Sequence, residues 1–121
     1  TLLWPKELGI RPYESGRGDE VVEVKWSEGA VLSPPGGWFH QHFNAGAESA
    51  RQLAIRYGSR IHRTGFHLAA QRKIDGVYIS VKEGGTMIEY EDEDPEIRRQ
   101  YEAALKRTGV PCKMPPVRYS P

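Results

Sequence analysis

Two histidines, His40 and His42, lie two residues apart in an aromatic-rich stretch of the sequence. Alternate side chains of an extended strand point to the same face, so both imidazoles would lie on one face and the intervening residues on the other. Neutral imidazole is a good ligand for iron, zinc, nickel and copper, and a less decisive one for manganese. The spacing therefore makes these two residues the candidates for binding a metal ion.

Turn-forming residues frame the stretch that carries the histidines. Gly29 suits a tight turn or a positive φ angle, because glycine has no Cβ. Pro35 fixes φ and lacks a backbone donor, and Gly37 permits the chain reversal that follows. Asn44 closes the stretch, and turn residues follow it. The sequence therefore predicts a strand, a turn and a second strand that carries both histidines.

The same stretch resembles the second motif of the cupin superfamily, G-x5-P-x-G-x2-H-x3-N. Its five fixed positions are filled at the required spacings by Gly29, Pro35, Gly37, His40 and Asn44. The resemblance implies an antiparallel jelly-roll barrel that holds one divalent metal ion, with His40 as the last of the family's metal ligands. Fe²⁺ is the favoured ion, with Mn²⁺, Ni²⁺ and Zn²⁺ as the alternatives.

A second alignment to the same superfamily is weaker. His40, His42 and Glu48 resemble its first motif, H-x-H-x3–4-E, but five residues separate His42 from Glu48, one too many. The first motif also expects a glycine where Ile55 stands, and no second motif follows residue 48. The second-motif interpretation is therefore preferred. It leaves three roles open for His42: a second ligand, a hydrogen-bonding neighbour of the ligands, or a packing residue.

The first motif, which supplies two histidines and a glutamate in the family, does not occur in residues 1–28, which contain no histidine. We therefore expect another polypeptide to supply the remaining barrel strands and ligands. It would be the N-terminal part of the same precursor, since the chain begins at Thr1 rather than methionine, or a second subunit. The alternative is a cupin that has lost its metal.

Three further residues are candidates for contact with a small-molecule substrate. Trp38 and Tyr57 have the aromatic surface to line a pocket, and core packing explains them equally well. Arg56 lies near the end of the predicted strand 51–57 and suits an anionic group. His62 and His67 lie in a stretch that contains glycine and arginine, and we expect them to be solvated loop residues.

The wider sequence predicts a mainly β protein with one C-terminal α-helix. Strands are expected at 21–26, 30–32, 38–44 and 51–57, with shorter ones at 77–81 and 87–90. The helix is expected at about 95–107, where Asp94 is the cap, Pro95 the first residue and Gly109 the stop. Residues 1–58 would form the C-terminal half of a cupin barrel. Residues 59–121 would form an extension with short strands, the helix and a proline-rich tail.

The composition excludes several classes of protein. A net charge of +1 provides no electrostatic footprint for nucleic acid. The sequence contains no apolar stretch approaching the ~18 residues of a transmembrane helix, so no membrane partner is expected. A single cysteine, Cys112, excludes a disulfide within the chain and suits a cytoplasmic location.

Two functions from different classes remain. The first is a metal-dependent cupin enzyme acting on a small organic substrate. A dioxygenase is the leading subclass, ahead of decarboxylase, lyase and isomerase, by analogy of fold. The second is a non-catalytic cupin module that binds a sugar or another small ligand. A histidine pair with a carboxylate upstream of Thr1 would favour the enzyme.

Overall fold

The computed structural model describes residues 1–55 and 79–121. Its regular elements are β1 (Leu2–Pro5), β2 (Val22–Glu23), β3 (Trp38–Gln41) and α1 (Pro95–Thr108), with 3-10 turns at Lys6–Leu8, Gly18–Glu20 and Val81–Glu83. The chain divides into two compact units. The larger unit comprises Thr1–Ala50 with Glu91–Pro121, and the smaller unit comprises Arg51–Tyr90.

The larger unit contains a three-stranded antiparallel sheet in the order β2-β1-β3. Leu2 and Leu3 are consecutive residues of β1, so their side chains point to opposite faces. Both are only 4% exposed, which means that the central strand is covered on both faces. Trp4 is also buried, and its ring lies 5.8 Å from the ring of its cross-strand partner Phe39.

The prediction of a jelly-roll barrel is wrong for this structure, because the sheet is open and has three strands. A barrel requires every strand edge to be paired, and here β2 and β3 are two separate edges. The segments 30–32 and 51–55, predicted as strands, form none. Their apolar residues Val31, Leu53 and Ile55 are 95%, 88% and 90% exposed, so alternation of residue types was not sufficient to produce pairing.

The smaller unit is described in part, since residues 56–78 lie outside the described ranges. The predicted boundary at residues 58 and 59 falls among them, as do the last residues of the predicted strand 51–57. In the described part, Ser80 and Met87 form an isolated parallel bridge, and Ile79 is buried. A Cβ at Gly85 would overlap the backbone carbonyl of Ile79, so this turn requires glycine.

Helix α1 extends from Pro95 to Thr108, where the sequence places it at about 95–107. The Asp94 side chain caps its start by accepting a hydrogen bond from the Glu96 nitrogen at 3.0 Å. Gly109 ends it at a φ of 72°, a left-handed conformation that favours glycine. Ile97 and Leu105 are 1% and 3% exposed, so they lie on the buried face of the helix.

Polar contacts join the start of this helix to the loop that follows β1. Asp94 is fully buried, and its second carboxylate oxygen accepts hydrogen bonds from the nitrogens of Tyr13 and Glu14 at 2.7 and 2.9 Å. The Arg11 guanidinium donates to the carbonyl oxygens of Glu91, Asp92 and Ser120. One carboxylate and one guanidinium therefore hold the loop, the helix and the C-terminal tail together.

No helix within residues 1–55 and 79–121 combines the length and the apolar character needed to cross a lipid bilayer.

Candidate functional site

The register of β1 and β3 determines which side chains share a face of the sheet. His40 is paired with Leu3, and Trp38 is paired with Pro5. Cross-strand partners point to the same side, and alternate residues of one strand do so as well. Trp38 and His40 therefore lie on the same face as Leu3. Val22, which pairs with Leu3 from the other side, also belongs to this face, here called the histidine face.

His42 continues this face just beyond the end of β3. Its Nδ1 atom lies 2.8 Å from the Oγ1 atom of Thr1. Leu2 pairs with Gln41 in the antiparallel register. The residue before Leu2, Thr1, is therefore expected opposite the residue after Gln41, which is His42. The rings of His40 and His42 are 5.2 Å apart between centroids and inclined by 51°. The two imidazoles are therefore immediate neighbours.

Trp26 and Thr1 complete the surroundings of His42. The indole Nε1 of Trp26 donates a short hydrogen bond to Thr1 Oγ1, and its ring meets the His42 ring edge-on at 5.7 Å. Thr1 is buried and also exchanges two backbone hydrogen bonds with Val24, both 2.8 Å. Sequence reasoning missed the part played by Thr1. Alternation placed Trp26 on one face of its own strand, but contact with a histidine of β3 depends on the register of three strands.

The electrostatic environment favours a neutral imidazole at His42. Partial burial lowers the pKa of this histidine, and the neighbouring His40 lowers the pKa further because two positive charges would repel each other. A pKa below the ordinary value near 6.5 keeps the ring uncharged at neutral pH. Neutral imidazole is the form that coordinates metal ions and that accepts or donates hydrogen bonds through its two nitrogens.

The separation of the two rings fits a metal site in two ways. An imidazole nitrogen bound at ~2.0–2.1 Å puts its ring centroid ~3.2 Å from the metal, so two rings at a tetrahedral angle lie ~5.2 Å apart. The observed 5.2 Å between His40 and His42 matches that arrangement. It also suits one histidine on the metal while the other donates a hydrogen bond to a group bound beside it. The two residues therefore place two nitrogen-bearing rings side by side on one face of the sheet.

The other residues of the motif form the turns on either side of β3. Gly29 and Gly37 have φ angles of 74° and 81°, in the left-handed region. The Pro35 carbonyl accepts a hydrogen bond from the Trp38 nitrogen at 3.3 Å, which closes the turn before the strand. After the strand, the Asn44 side chain bonds the Gly46 nitrogen at 3.0 Å and the Glu48 carbonyl at 2.8 Å. These turns determine where the histidine strand begins and ends.

Helix α1 contacts the chain just after His42. Phe43 stacks on Tyr101 at 5.5 Å between centroids with an interplanar angle of 19°. Leu105, one turn before the end of the helix, is buried. The hydroxyl of Thr108, the last helical residue, donates a hydrogen bond to the Ala45 carbonyl at 2.6 Å. The helix therefore holds the far side of the histidine strand, because Phe43 points away from the histidine face.

The remaining candidates differ in position. Trp38 is half-buried on the histidine face, and Glu48 is exposed in the turn that Asn44 closes. Arg56 and Tyr57, predicted to contact substrate, lie outside the described residues, as do His62 and His67. Within residues 1–55 and 79–121, no group of three or more His, Cys, Asp or Glu side chains is arranged to hold a metal ion.

Comparisons with models of protein families, with curated proteins and with solved structures found no match. The function is therefore inferred from the residues of the histidine face, their register and their hydrogen bonds.

Proposed function

We propose that this chain contributes to a mononuclear divalent-metal site in a cupin-superfamily enzyme that acts on a small organic substrate. The observation that carries the proposal is the placement of His40 and His42 side by side on one face of the sheet, 5.2 Å apart. His40 occupies the ligand position of the motif and is exposed, so we assign it as the metal ligand. His42 lies beside it, near enough to touch the ion or a group bound to it.

The favoured ion is Fe²⁺, with Mn²⁺, Ni²⁺ and Zn²⁺ as alternatives, because imidazole ligates all of them. A bound divalent ion would supply Lewis-acid polarisation of a carbonyl or carboxylate, or a binding position for dioxygen. Dioxygenase chemistry remains the leading subclass, by analogy with the superfamily. In this proposal Trp38 provides aromatic surface for the substrate next to His40, while Arg56 and Tyr57 remain predicted contacts.

A second polypeptide completes the site in this proposal. Catalytic metal ions in proteins usually have three or more protein ligands, and the histidine face offers at most two imidazoles. Among residues 1–55 and 79–121, no strand pairs with the outer sides of β2 and β3, and natural proteins usually cover such edges. Val22 and Trp26, on or next to the histidine face, are 45% and 43% exposed. These features support a partner that brings both strands and ligands.

The balanced charge supports a small-molecule substrate and no nucleic-acid partner. We also place the protein in the cytoplasm in this proposal, since its single cysteine, Cys112, is free and exposed, as is common in a reducing compartment.

Metal titration of the full chain tests the proposal. Zn²⁺ is the probe, because it is diamagnetic and stable in air, and binding is followed by calorimetry and by the imidazole signals in NMR spectra. We expect His40→Ala to lose at least tenfold in Zn²⁺ affinity. Gln41→Ala is the matched control, since it lies on the same strand but on the opposite face. Fe²⁺ under anaerobic conditions is then compared with Zn²⁺ by the same calorimetry.

Equal Zn²⁺ affinity in His40→Ala and the parent chain would contradict the proposal. Binding of a sugar or another neutral ligand without any dependence on metal would instead favour the non-catalytic module. Strong binding of metal by the isolated chain, with full occupancy and no companion, would contradict the need for a second polypeptide.

A further inference from the structure

The role of His42 at the proposed metal site is set by a chain of hydrogen bonds. We infer that Trp26 and Thr1 hold His42 in the tautomer that carries its proton on Nε2, so that His42 donates a hydrogen bond to an oxygen of the substrate instead of binding the metal. This inference builds on the proposed function and assigns a different role to each of the two histidines.

The direction of the chain begins at Trp26. An indole nitrogen is a donor only, so in the short contact with Thr1 it is the threonine oxygen that accepts. A hydroxyl group that already accepts one hydrogen bond becomes a stronger donor, because successive hydrogen bonds polarise one another. The single hydroxyl proton of Thr1 is therefore directed to its second partner, the Nδ1 atom of His42 at 2.8 Å.

The tautomer of His42 follows from that direction. A ring nitrogen that accepts a hydrogen bond carries no proton, and in a neutral imidazole the proton is then on the other nitrogen. Because Nδ1 accepts from Thr1, the His42 ring is neutral and its one proton is on Nε2. Nε2–H is a donor and has no lone pair to offer a metal ion. His40 is thus left as the metal ligand of the pair.

The geometry of the site indicates what the Nε2–H group would bind. The two rings lie 5.2 Å apart, so in this proposal a group bound beside His40 is next to the His42 ring. The partner must be an acceptor, and the acceptor atoms that divalent ions also attract are carbonyl and carboxylate oxygens. The aromatic residue Trp38 lies on the same face. We therefore assign the substrate class as a small organic molecule with a carbonyl or carboxylate oxygen next to an apolar body.

Trp26 and Thr1 are positioning residues in this scheme, since they act through His42. The burial of Thr1 and the ring contact of Trp26 with His42 support that assignment. Thr1 is 8% exposed and fixed by two backbone hydrogen bonds to Val24, which leaves its side chain little freedom to seek another partner. The edge-on contact of Trp26 with the His42 ring limits the rotation of that ring.

Nitrogen-15 NMR of the metal-free chain tests the inference directly, because the two ring nitrogens of a neutral histidine have distinct chemical shifts when only one is protonated. We expect His42 to show a protonated Nε2 and an unprotonated Nδ1. Thr1→Val removes the hydroxyl at nearly constant shape and should abolish the preference for this tautomer, whereas Thr1→Ser should keep it. A protonated Nδ1 in the parent chain, or an unchanged tautomer in Thr1→Val, would overturn the inference.

Zn²⁺ and benzoate provide a second test. His42→Gln retains a donor near the position of Nε2, so we expect it to bind Zn²⁺ within threefold of the parent chain and to keep the affinity of the Zn²⁺-loaded protein for benzoate. His42→Ala should also keep Zn²⁺ but lose about tenfold in benzoate affinity. A loss of tenfold or more in Zn²⁺ affinity for His42→Gln would overturn the inference, as it would show that His42 is a ligand.

The two proposals fail in different ways. If His40→Ala binds Zn²⁺ as the parent does, the proposed metal site is wrong. The tautomer of His42 is tested separately, by the NMR signals of the metal-free chain.

Discussion

Thr1 Oγ1 and His42 Nδ1 lie 2.8 Å apart across the pair of strands β1 and β3. The contact continues the antiparallel register of Leu2 with Gln41 by one residue. The histidine that follows the edge strand β3 is therefore oriented by the residue that precedes β1, the central and most buried strand of the sheet. Such a contact ties the state of the imidazole to the integrity of the whole sheet.

The first prediction concerns pH. The pKa of His42 is lowered in the folded chain, chiefly by burial, so the unfolded chain binds the proton more readily. Stability then rises with pH wherever the unfolded state holds more protons. The contribution of His42 is complete above its unfolded pKa of about 6.5 and is lost as the pH falls through that value towards the folded pKa.

We therefore expect the parent chain to lose more stability between pH 7.5 and pH 5.5 than a His42→Asn variant does. Urea denaturation at several pH values measures the difference. A Glu48→Gln variant is the control, because it alters an exposed group in the turn beyond the strand. Identical pH slopes for the parent and His42→Asn would show that this histidine has an ordinary pKa.

The second prediction concerns the buried carboxylate. Asp94 accepts hydrogen bonds from the nitrogens of Tyr13, Glu14 and Glu96, and it is fully buried. Hydrogen bonds to a charged group contribute about 1.5–3 kcal/mol each, and a lost helix cap costs about 1 kcal/mol, with incomplete additivity. Asp94→Ala should thus destabilise the chain by at least ~3 kcal/mol.

Asp94→Asn should be intermediate, since its single amide oxygen can accept only part of these bonds. Chemical denaturation with urea gives the free energies, and the exposed Asp19→Ala serves as the control. A loss of less than 1 kcal/mol for Asp94→Ala would mean that the three nitrogens find other acceptors.

The third prediction concerns the turn before the histidine strand. Gly37 has a φ of 81°, and Gly36 beside it has no such constraint and open space around its Cβ position. Alanine in the left-handed region costs about 1–2 kcal/mol. We expect Gly37→Ala to lower the melting temperature and to weaken Zn²⁺ binding at His40, while Gly36→Ala changes neither. Equal behaviour of the two variants would contradict the turn geometry.

The fourth prediction concerns the stacked pair Phe43 and Tyr101. Aromatic pairs contribute about 0.5–1.5 kcal/mol beyond the area they bury. Tyr101→Ala should therefore reduce stability by ~2 kcal/mol and shift the NMR signals of His42, one residue from the stack. Lys106→Ala, on an exposed position of the same helix, should leave both unchanged. If the histidine signals do not move, the helix does not influence the histidine strand.

The helix was predictable because its signals are local. Asp94, Pro95 and Gly109 determine its ends within one or two residues, and the spacing of Ile97 and Leu105 determines its buried face. None of these features depends on a residue far away in the sequence. The helix consequently lies where the sequence analysis places it, with one additional residue at its C-terminal end.

The sheet was not predictable by the same means, because strand pairing is a long-range property. Leu2–Pro5 is the central strand, and nothing in this short run by itself indicates which two segments pair with it. The segments 30–32 and 51–55 had better strand patterns and remain unpaired. Strand periodicity was enough to expect His40 and His42 on one face. The contacts of Thr1 and Trp26 with His42 required the register, which no local pattern contains.

The hydrogen bonds from the Arg11 guanidinium to carbonyl oxygens near the C-terminus join residues that the ribosome makes at very different times. The guanidinium binds the Asp92 carbonyl, 81 residues later in the chain, and the Ser120 carbonyl, 109 residues later. At ~5–20 residues per second, Arg11 is made some 4–16 seconds before its first carbonyl partner. During that interval the Arg11 guanidinium has Glu14 beside it as a partner, while the nitrogens of Tyr13 and Glu14 lack the carboxylate of Asp94. These long-range contacts of the larger unit therefore require residues 91–120, whereas all three strands of its sheet lie within residues 2–41.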